Sequence, residues 1–311
     1  MNNINILANG IYFPKKQMGN EELEEKLGLE RGYIEKRTGI ENRYYAEEEK
    51  IEDMAIKAVE NLFEKFAVKD DIGLIITATT STNILMPGIS NYIQKHLNLK
   101  PCICLDILAG CAGYINSFDI AKRYIDSGDI QKALIIGVDK LSQIIDKEDI
   151  GTAVVLSDGA GATLIGRVEK QNHAKTYKSN IKADGEKNDI LTYKCGEKIY
   201  MNGKEVYKYA VTKTVENIKE VLDKADMNIE DIKYIIPHQS NLKIMKAIAS
   251  RLHIEPEKIY TNIQTRGNTF CASIPIALYD MKENGLLESG DKVILLGYGG
   301  GLNTGSILME I

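Results

Sequence analysis

Cys111 is the strongest candidate nucleophile in this sequence. It follows an apolar run at residues 101–108, which predicts a buried strand in a sheet covered on both faces. Apolar residues then recur at helical spacing from Ile115 to Ile125, and Gly128 is placed to end that helix. The N–H groups and dipole of a helix N-terminus favour negative charge, so this position predicts a stabilised thiolate. The alternative is an inert packing cysteine, and suitable partners elsewhere in the chain decide between the two.

Two further polar residues fit beside such a cysteine. His238 directly follows the short apolar run Tyr234–Pro237, which predicts a buried strand that holds the imidazole at its end. Asn268 precedes a helical pattern that ends at Gly285, and its side-chain amide is able to donate a hydrogen bond. A thiol, an imidazole and an amide held in this way suit nucleophilic catalysis.

The composition limits the class of protein, its partners and its compartment. The chain has 311 residues, 44% hydrophobic and 27% charged, which is ordinary for one large globular domain or two fused ones. A formal net charge of −5 argues against nucleic acid or an anionic membrane as the main partner. The cysteines lack the spacing of a disulfide framework, and we expect no metal site. With no evident signal peptide and no apolar stretch that spans a bilayer, we expect a cytoplasmic protein.

The second half of the chain repeats the first. The helical pattern from Cys111 to Gly128 leads through a polar link to a predicted strand at 133–138. The pattern from Asn268 to Gly285 leads in the same way to a predicted strand at 292–297. A pseudo-twofold relation between the halves would therefore bring Cys111 and Asn268 together at the centre of the molecule.

Strand and helix patterns alternate in both halves, which predicts an α/β fold with mostly parallel sheets and helices packed over them. We divide the chain into halves of residues 1–168 and 169–311, because it turns polar and charged from residue 169 to residue 198. That polar stretch is predicted to be a boundary or a surface connection. A further strand is predicted at residues 258–263.

Seven short motifs occur in the order found in one enzyme family. They read Arg37-Thr-Gly-Ile40, Ala78-Thr-Thr-Ser81, Ala109-Gly-Cys-Ala-Gly113, Asp158-Gly-Ala-Gly161, Pro237-His-Gln-Ser-Asn241, Gly267-Asn-Thr269 and Gly299-Gly-Gly301. Over essentially its whole length the sequence resembles the β-ketoacyl-[acyl-carrier-protein] synthase III family of thiolase-fold condensing enzymes. The resemblance implies a thiolase-like five-layered αβαβα fold, built from two pseudo-twofold-related halves, and a homodimer.

The resemblance also implies a catalytic triad of Cys111, His238 and Asn268. An acyl group from acyl-coenzyme A or an acyl carrier protein would transfer to Cys111, with the oxyanion held by the backbone N–H groups of Cys111 and Gly300. His238 and Asn268 would then donate hydrogen bonds to the thioester oxygen of malonyl-acyl carrier protein. As carbon dioxide leaves, those bonds stabilise the enolate that attacks the acyl-enzyme. This is the chemistry of fatty-acid initiation or of a related secondary pathway, and it implies no permanently bound cofactor.

Two other functions stay open at this point. The same triad would also serve an acyltransferase that passes the acyl group from Cys111 to an alcohol or an amine without decarboxylation. The third hypothesis is a non-catalytic partner that shapes the pocket of an active sister subunit. Such partners typically lose the nucleophile, whereas this chain keeps Cys111, His238 and Asn268.

The sequence departs from the family where coenzyme A binds. The resemblance assigns this role to Tyr33, Arg37 and Asn241, but Tyr33 stands where the family usually has a tryptophan. Ile150 stands where an arginine usually completes the clamp on the adenine, and it offers neither charge nor a planar surface. These departures weaken the expected recognition of coenzyme A and strengthen the case for acyl carrier protein, and both carriers of the primer stay open.

The acyl pocket departs in a similar way. The resemblance assigns Met86 and Tyr298 to this pocket, and Met86 stands where a phenylalanine often closes it across the dimer. Because methionine is flexible and fills irregular space, we expect a different or longer acyl chain.

An acidic carrier protein needs a basic docking surface. Lys208, Lys243 and Arg251 lie at or near positions where the family carries basic residues for docking, and Lys204 and Lys246 would extend the patch. The alternative is that these residues are ordinary solvated helix faces.

Overall fold

The computed structural model describes residues 4–67, 69–168 and 175–311, and it contains two mixed β-sheets. The strands in chain order are β1 (Ile4–Tyr12), β2 (Lys16–Gly19), β3 (Asn42–Tyr45), β4 (Ile72–Ala78), β5 (Ile103–Ile107), β6 (Lys132–Asp139), β7 (Gly159–Arg167), β8 (Tyr177–Ala183), β9 (Leu191–Thr192), β10 (Tyr200–Met201), β11 (Tyr234–Pro237), β12 (Lys292–Gly299) and β13 (Asn303–Glu310).

The α-helices pack against these sheets. In chain order they are α1 (Asn20–Leu27), α2 (Tyr33–Thr38), α3 (Ile51–Lys65), α4 (Ile89–His96), α5 (Gly113–Ser127), α6 (Ile150–Ala153), α7 (Gly203–Ala225), α8 (Leu242–Leu252), α9 (Ile263–Arg266) and α10 (Ser273–Glu283).

The two main sheets have corresponding strand orders. The first runs β1-β7-β6-β4-β5, and the second runs β8-β13-β12-β11. In the first sheet β4 pairs parallel with both β5 and β6, in the second β11 pairs parallel with β12, and the remaining pairs are antiparallel. Consequently β6 and β12 are equivalent, as the sequence repeat predicts, and so are the helices α5 and α10 that precede them. Both sheets are mixed, however, whereas the sequence patterns predict mostly parallel sheets.

Helices α5 and α10 form a layer between the two sheets. Helix α5 contacts β4 and β6 on one side and β12 and β13 on the other, and α10 contacts strands of both sheets as well. The remaining faces are covered by α3 and α4 on the first sheet and by α7 on the second, with α8 packed on α7. The result is the five-layered αβαβα arrangement that the sequence resemblance implies.

Three sequence predictions about strands are wrong in detail. The strand expected at 101–108 is β5, but it lies at the edge of its sheet, and Leu105 is 37% exposed. The strand expected at 258–263 is reduced to a single parallel bridge between Ile259 and Ile235. The polar stretch predicted to be a boundary or surface connection is not only a connection, because it contains β8, which is an edge strand with polar residues on its solvent face. Residues 169–174, where we divide the halves, lie outside the described part of the chain.

A close contact between the two halves, at Gly137, provides a test of the fold. Gly137 lies in the middle of β6, where an added Cβ would fall 2.1 Å from the backbone oxygen of Cys271. We expect Gly137→Ala to lower the free energy of unfolding by about 3 kcal/mol or more, because the clash is with backbone and not with a side chain that can turn away. Urea unfolding measures this. Gly185→Ala is the matched control, since its Cβ would meet no atom within 4 Å, and equal stabilities for the two variants would contradict the prediction.

Candidate active site

Cys111 is buried where β5 leads into α5. It lies in a single 3-10 turn, Gly110–Ala112, that separates the strand from the helix, and it is 3% exposed. Gly299 at the end of β12 passes so close that a Cβ there would lie 2.9 Å from the Cys111 sulphur. A glycine at 299 is therefore required for the second half of the chain to approach the thiol.

The protonation of Cys111 differs from the sequence prediction. Burial raises the pKa of the thiol, and the nearby carboxylate of Asp139 raises it further. The backbone N–H groups of Cys111 and Gly300 point at the sulphur and lower the pKa, but by less. In the buried site the thiol therefore keeps its proton, because desolvation outweighs the helix N-terminus on which the prediction of a thiolate was based.

His238 lies at the end of β11 with its ring held on several sides. Its backbone N–H donates to the Leu296 oxygen at 2.7 Å, and its ring meets the rings of Tyr298 and Phe270 edge to face, with centroids 5.3 and 6.4 Å away. Its Nδ1 atom lies 2.7 Å from the Ser273 Oγ atom. Burial lowers the pKa of His238 to about 3, so the imidazole is neutral at ordinary pH.

Asn268 is held in one orientation by its neighbours. Its Oδ1 atom accepts a hydrogen bond of 3.1 Å from the Phe270 N–H, which leaves the Nδ2 amide as the end that can donate to a ligand. Its backbone bonds to the other half of the chain, through Val155 at 3.1 Å and Ser157 at 2.9 Å. Phe270 contacts both His238 and Asn268. Tyr298 packs against His238 and belongs to the same hydrophobic cluster as Cys111.

A buried carboxylate, Asp139, lies beside this site and was not predicted from the sequence. Asp139 at the end of β6 accepts hydrogen bonds from the N–H groups of Thr80 at 2.7 Å, Ser81 at 2.9 Å and Cys271 at 3.0 Å. It thereby ties the loop after β4 to the turn that follows Asn268. The Ala78-Thr-Thr-Ser81 motif could have indicated this contact. Its polar residues follow one apolar strand pattern, and the apolar pattern at 133–138 ends directly before Asp139.

The residues expected to bind coenzyme A lie at the surface. Tyr33, Arg37 and Lys243 line one surface pocket, and the Arg37 guanidinium stacks on the Tyr33 ring, 4.8 Å from its centroid. Asn241 caps α8, because its Oδ1 accepts from the Lys243 N–H at 2.8 Å. Ile150 is 38% exposed at the start of α6. The pocket is thus basic and partly aromatic, and its aromatic face is already covered by a cation.

The two acyl-pocket candidates are placed very differently. Tyr298 is buried, and its hydroxyl is 2.7 Å from the Ser240 hydroxyl. Met86 is 89% exposed and precedes α4, whose first residues Ile89 and Ser90 donate backbone hydrogen bonds to the Asp106 carboxylate on β5. Within one chain, Met86 therefore lines no buried pocket.

The docking candidates lie on two adjacent helices. Lys208 on α7 is exposed and pairs with Glu205 at 3.3 Å. Lys243 is the second residue of α8, and Arg251 in its last turn donates to the Thr212 hydroxyl on α7 at 3.2 Å. These cations are exposed to solvent, as docking residues must be.

The buried imidazole predicts an acid-sensitive stability. The folded protein keeps His238 neutral down to about pH 3, whereas the unfolded chain takes up a proton below its ordinary pKa of about 6.5. Acidification therefore favours unfolding, and between about pH 6.5 and pH 5 this residue costs about 2 kcal/mol. We expect chemical denaturation to show a smaller loss of stability over this interval in His238→Gln than in the natural protein. Identical losses would contradict a buried neutral imidazole.

Two negative findings apply to residues 4–67, 69–168 and 175–311. No group of three or more His, Cys, Asp or Glu side chains there is arranged to hold a metal ion. None of the helices in that part combines the length and apolarity needed to cross a membrane.

The five layers, with a buried thiol and imidazole where the halves meet, define a thiolase-fold enzyme. The family model described as 3-oxoacyl-[acyl-carrier-protein] synthase III matches residues 105–185, and the model of its C-terminal part matches residues 222–311. β-Ketoacyl-[acyl-carrier-protein] synthase III of Clostridium perfringens is 38% identical over 326 residues, which cover 100% of both chains. The chain belongs to the β-ketoacyl-[acyl-carrier-protein] synthase III family.

Solved structures agree with this assignment. The Aquifex aeolicus 3-oxoacyl-[acyl-carrier-protein] synthase III has a TM-score of 0.95 and 36% identity, covering 99% of this chain and 100% of that one. The priming β-ketosynthase of the R1128 polyketide pathway has a TM-score of 0.92 and 26% identity, covering 99% of this chain and 96% of that one. The present chain is thus a condensing enzyme of the acyltransferase class.

Proposed function

We propose that the chain condenses a primer acyl group with malonyl-acyl carrier protein, using Cys111, His238 and Asn268. The observation that carries the proposal is the convergence of the Cys111 and Gly300 N–H groups on the sulphur of Cys111. Donors in that position meet the negative oxygen that forms when the sulphur attacks a thioester carbon, and each is worth about 3 kcal/mol. Fatty-acid initiation or a related secondary pathway supplies such substrates.

In the first half-reaction the acyl group moves to the enzyme. The sulphur–carbon bond to Cys111 forms, the bond from the acyl carbon to the carrier sulphur breaks, and the thiol proton leaves with the carrier thiol. The N–H groups of Cys111 and Gly300 stabilise the oxyanion between these events. Because burial keeps Cys111 protonated in the closed site, we expect loss of this proton to accompany the attack.

In the second half-reaction the malonyl carboxylate leaves as carbon dioxide. Its electron pair forms an enolate on the thioester oxygen, and the enolate carbon attacks the acyl group on Cys111, which releases the Cys111 sulphur. A neutral His238 and the Nδ2 amide of Asn268 are donors without negative charge, as stabilisation of this enolate requires.

We further propose that the primer arrives on acyl carrier protein. The ring face of Tyr33 is covered by Arg37, and Ile150 supplies neither charge nor a stacking surface for an adenine. The exposed cations Lys208, Lys243 and Arg251 suit an acidic carrier. No permanently bound cofactor takes part, and we expect the reaction to occur in the cytoplasm.

We also propose a homodimer formed along β5. One side of this edge strand is open to pairing, and Leu105 on the strand and Leu108 directly after it are exposed, as are Leu85 and Met86 before α4. A second copy pairing there would cover them and would bring Met86 against the partner's site. Sedimentation measures the oligomeric state, and a monomer at working concentration would contradict this part of the proposal.

The intact mass of the protein tests the function. Acyl-coenzyme A and acyl carrier protein are offered separately as donors, and malonyl-acyl carrier protein is then added. We expect acylation, faster from the carrier protein, followed by a β-ketoacyl product and carbon dioxide. An acyl-enzyme that malonyl-acyl carrier protein never discharges would favour transfer to an alcohol or amine instead. Absence of acylation from both donors would contradict both functions.

A further inference from the structure

The buried carboxylate of Asp139 accepts hydrogen bonds from both halves of the chain. Its Oδ1 atom accepts from the Thr79 hydroxyl at 3.2 Å, the Thr80 N–H at 2.7 Å, and the Ser81 N–H and hydroxyl at 2.9 and 2.8 Å. Its Oδ2 atom accepts from the Cys271 N–H at 3.0 Å. These five donors are all neutral, and Asp139 is completely buried. A charge buried among neutral donors costs free energy to keep, so packing alone does not account for it.

The bonds to Oδ1 fix the loop that follows β4. The same loop donates from the Thr79 N–H to the oxygen of Ile107, the last residue of β5, at 3.2 Å. The Ser81 hydroxyl also accepts the Lys140 N–H at 2.7 Å, which holds the loop to the segment that carries the carboxylate. The strand that leads to Cys111 is therefore linked to the Oδ1 atom through one hydrogen-bonded loop.

The bond to Oδ2 fixes the 3-10 turn Phe270–Ala272 in the other half of the chain. The Phe270 N–H in this turn donates to the Asn268 Oδ1 atom at 3.1 Å, which sets the direction of the Asn268 amide. The Phe270 ring also packs edge to face on the His238 ring. Cys271 lies in the middle of this turn, so its N–H is the point at which the carboxylate restrains both contacts.

Only a carboxylate satisfies all five donors. An ionised carboxylate accepts on both oxygens, whereas an amide accepts on one atom and donates from the other. Asparagine at position 139 therefore turns its NH2 group either toward the Cys271 N–H or toward the donors of the loop. The first orientation loses fewer hydrogen bonds, but it leaves the buried Cys271 N–H without a partner and facing a second donor.

We propose that Asp139 is a positioning residue whose carboxylate holds the turn Phe270–Ala272, and with it the amide of Asn268, in the geometry that condensation needs. This inference rests on the proposed function, because that function gives Asn268 its part in decarboxylation. Acyl loading uses the N–H groups of Cys111 and Gly300 instead, so it depends less on the placement of this turn.

Asp139→Asn is the test, because it removes the charge and keeps the shape of the side chain. We expect kcat for decarboxylation of malonyl-acyl carrier protein to fall roughly ten- to a hundredfold, with little change in KM, since the Asn268 amide is displaced. Acyl loading of Cys111, followed by intact mass, should stay within about threefold of the natural rate. Hydrogen exchange followed by mass spectrometry reports on the turn itself. The peptide that spans residues 268–273 should exchange faster in the variant than in the natural protein.

Asp119→Asn is the matched control. Asp119 is also a buried carboxylate, but its donors are Arg123, on the same helix α5, and the Tyr177 hydroxyl on β8. The same chemical change there should lower stability without altering either half-reaction or the exchange of residues 268–273. A loss of decarboxylation that follows from lower stability alone would therefore appear in both variants.

Three results would overturn the inference. The first is undiminished decarboxylation by Asp139→Asn, and the second is an equal loss of loading and decarboxylation, which would mark a merely structural role. The third is unprotected exchange of residues 268–273 in the natural protein, a measurement that does not require the variant to fold. A natural protein that neither loads nor decarboxylates would instead overturn the proposed function, so the two failures are distinguishable.

Discussion

Replacing Cys111 by alanine should abolish acylation of the protein. The variant has no sulphur at the point where the Cys111 and Gly300 N–H groups converge, so no covalent acyl-enzyme can form. We expect intact mass to show no added acyl group with either donor. Decarboxylation of malonyl-acyl carrier protein should persist, because in the proposed mechanism it depends on His238 and Asn268. Alanine is smaller than cysteine at a position that Gly299 approaches closely, so the fold should tolerate it.

Two other thiols provide the controls for this prediction. Cys271 is also buried near the site, and its Sγ atom donates to the Gly110 oxygen at 3.1 Å, whereas Cys195 is exposed. Cys271→Ala and Cys195→Ala should both keep the acyl adduct. An adduct that survives in Cys111→Ala and disappears in Cys271→Ala would transfer the nucleophilic role to Cys271.

Changing Asn268 to aspartate should block condensation while leaving acyl loading largely intact. The change is nearly isosteric, and a carboxylate oxygen can still accept the Phe270 N–H that holds the side chain in place. It replaces the amide donor by a negative charge close to the developing enolate. We expect release of carbon dioxide and of β-ketoacyl product to slow by about 10²–10³-fold, the loss typical of one missing preorganised donor.

Asn268→Ala separates the two causes of that loss. Alanine removes the donor without adding charge, so any further slowing in the aspartate variant measures the repulsion of the enolate. Loading of Cys111 should proceed in both variants. Condensation at the natural rate in Asn268→Asp would show that this side chain does not act on the enolate.

The contact between the turn that contains Cys111 and the turn that follows Asn268 could be predicted, because it depends on local sequence patterns. Glycines, small residues and helical spacing recur in both halves at the same interval, and equivalent positions in a pseudo-twofold molecule meet at its centre. The helix boundaries were harder to predict. Each of the two helices is preceded by a 3-10 turn, which shifts its start two or more residues beyond Cys111 and Asn268.

What the sequence could not supply depends on contacts between distant residues. Asp139 gains its role from N–H groups on a preceding loop and on Cys271, far along the chain. The contact of the His238 ring with the Ser273 hydroxyl exists only because a strand end from another part of the fold brings the two residues together. The protonation of Cys111 was predicted wrongly for the same reason, since the degree of burial is set by the whole fold and not by the adjoining helix.

The helix layer between the sheets has a consequence for how the enzyme becomes active. Because α5 and α10 each contact both sheets, neither half of the chain can bury its own central helix without the other. The proposed nucleophile comes from one half, and the imidazole and amide proposed to act with it come from the other. During refolding, secondary structure is therefore free to return before any turnover does. Recovery of catalysis reports the docking of the two halves, which makes activity a stricter measure of native assembly than helix content.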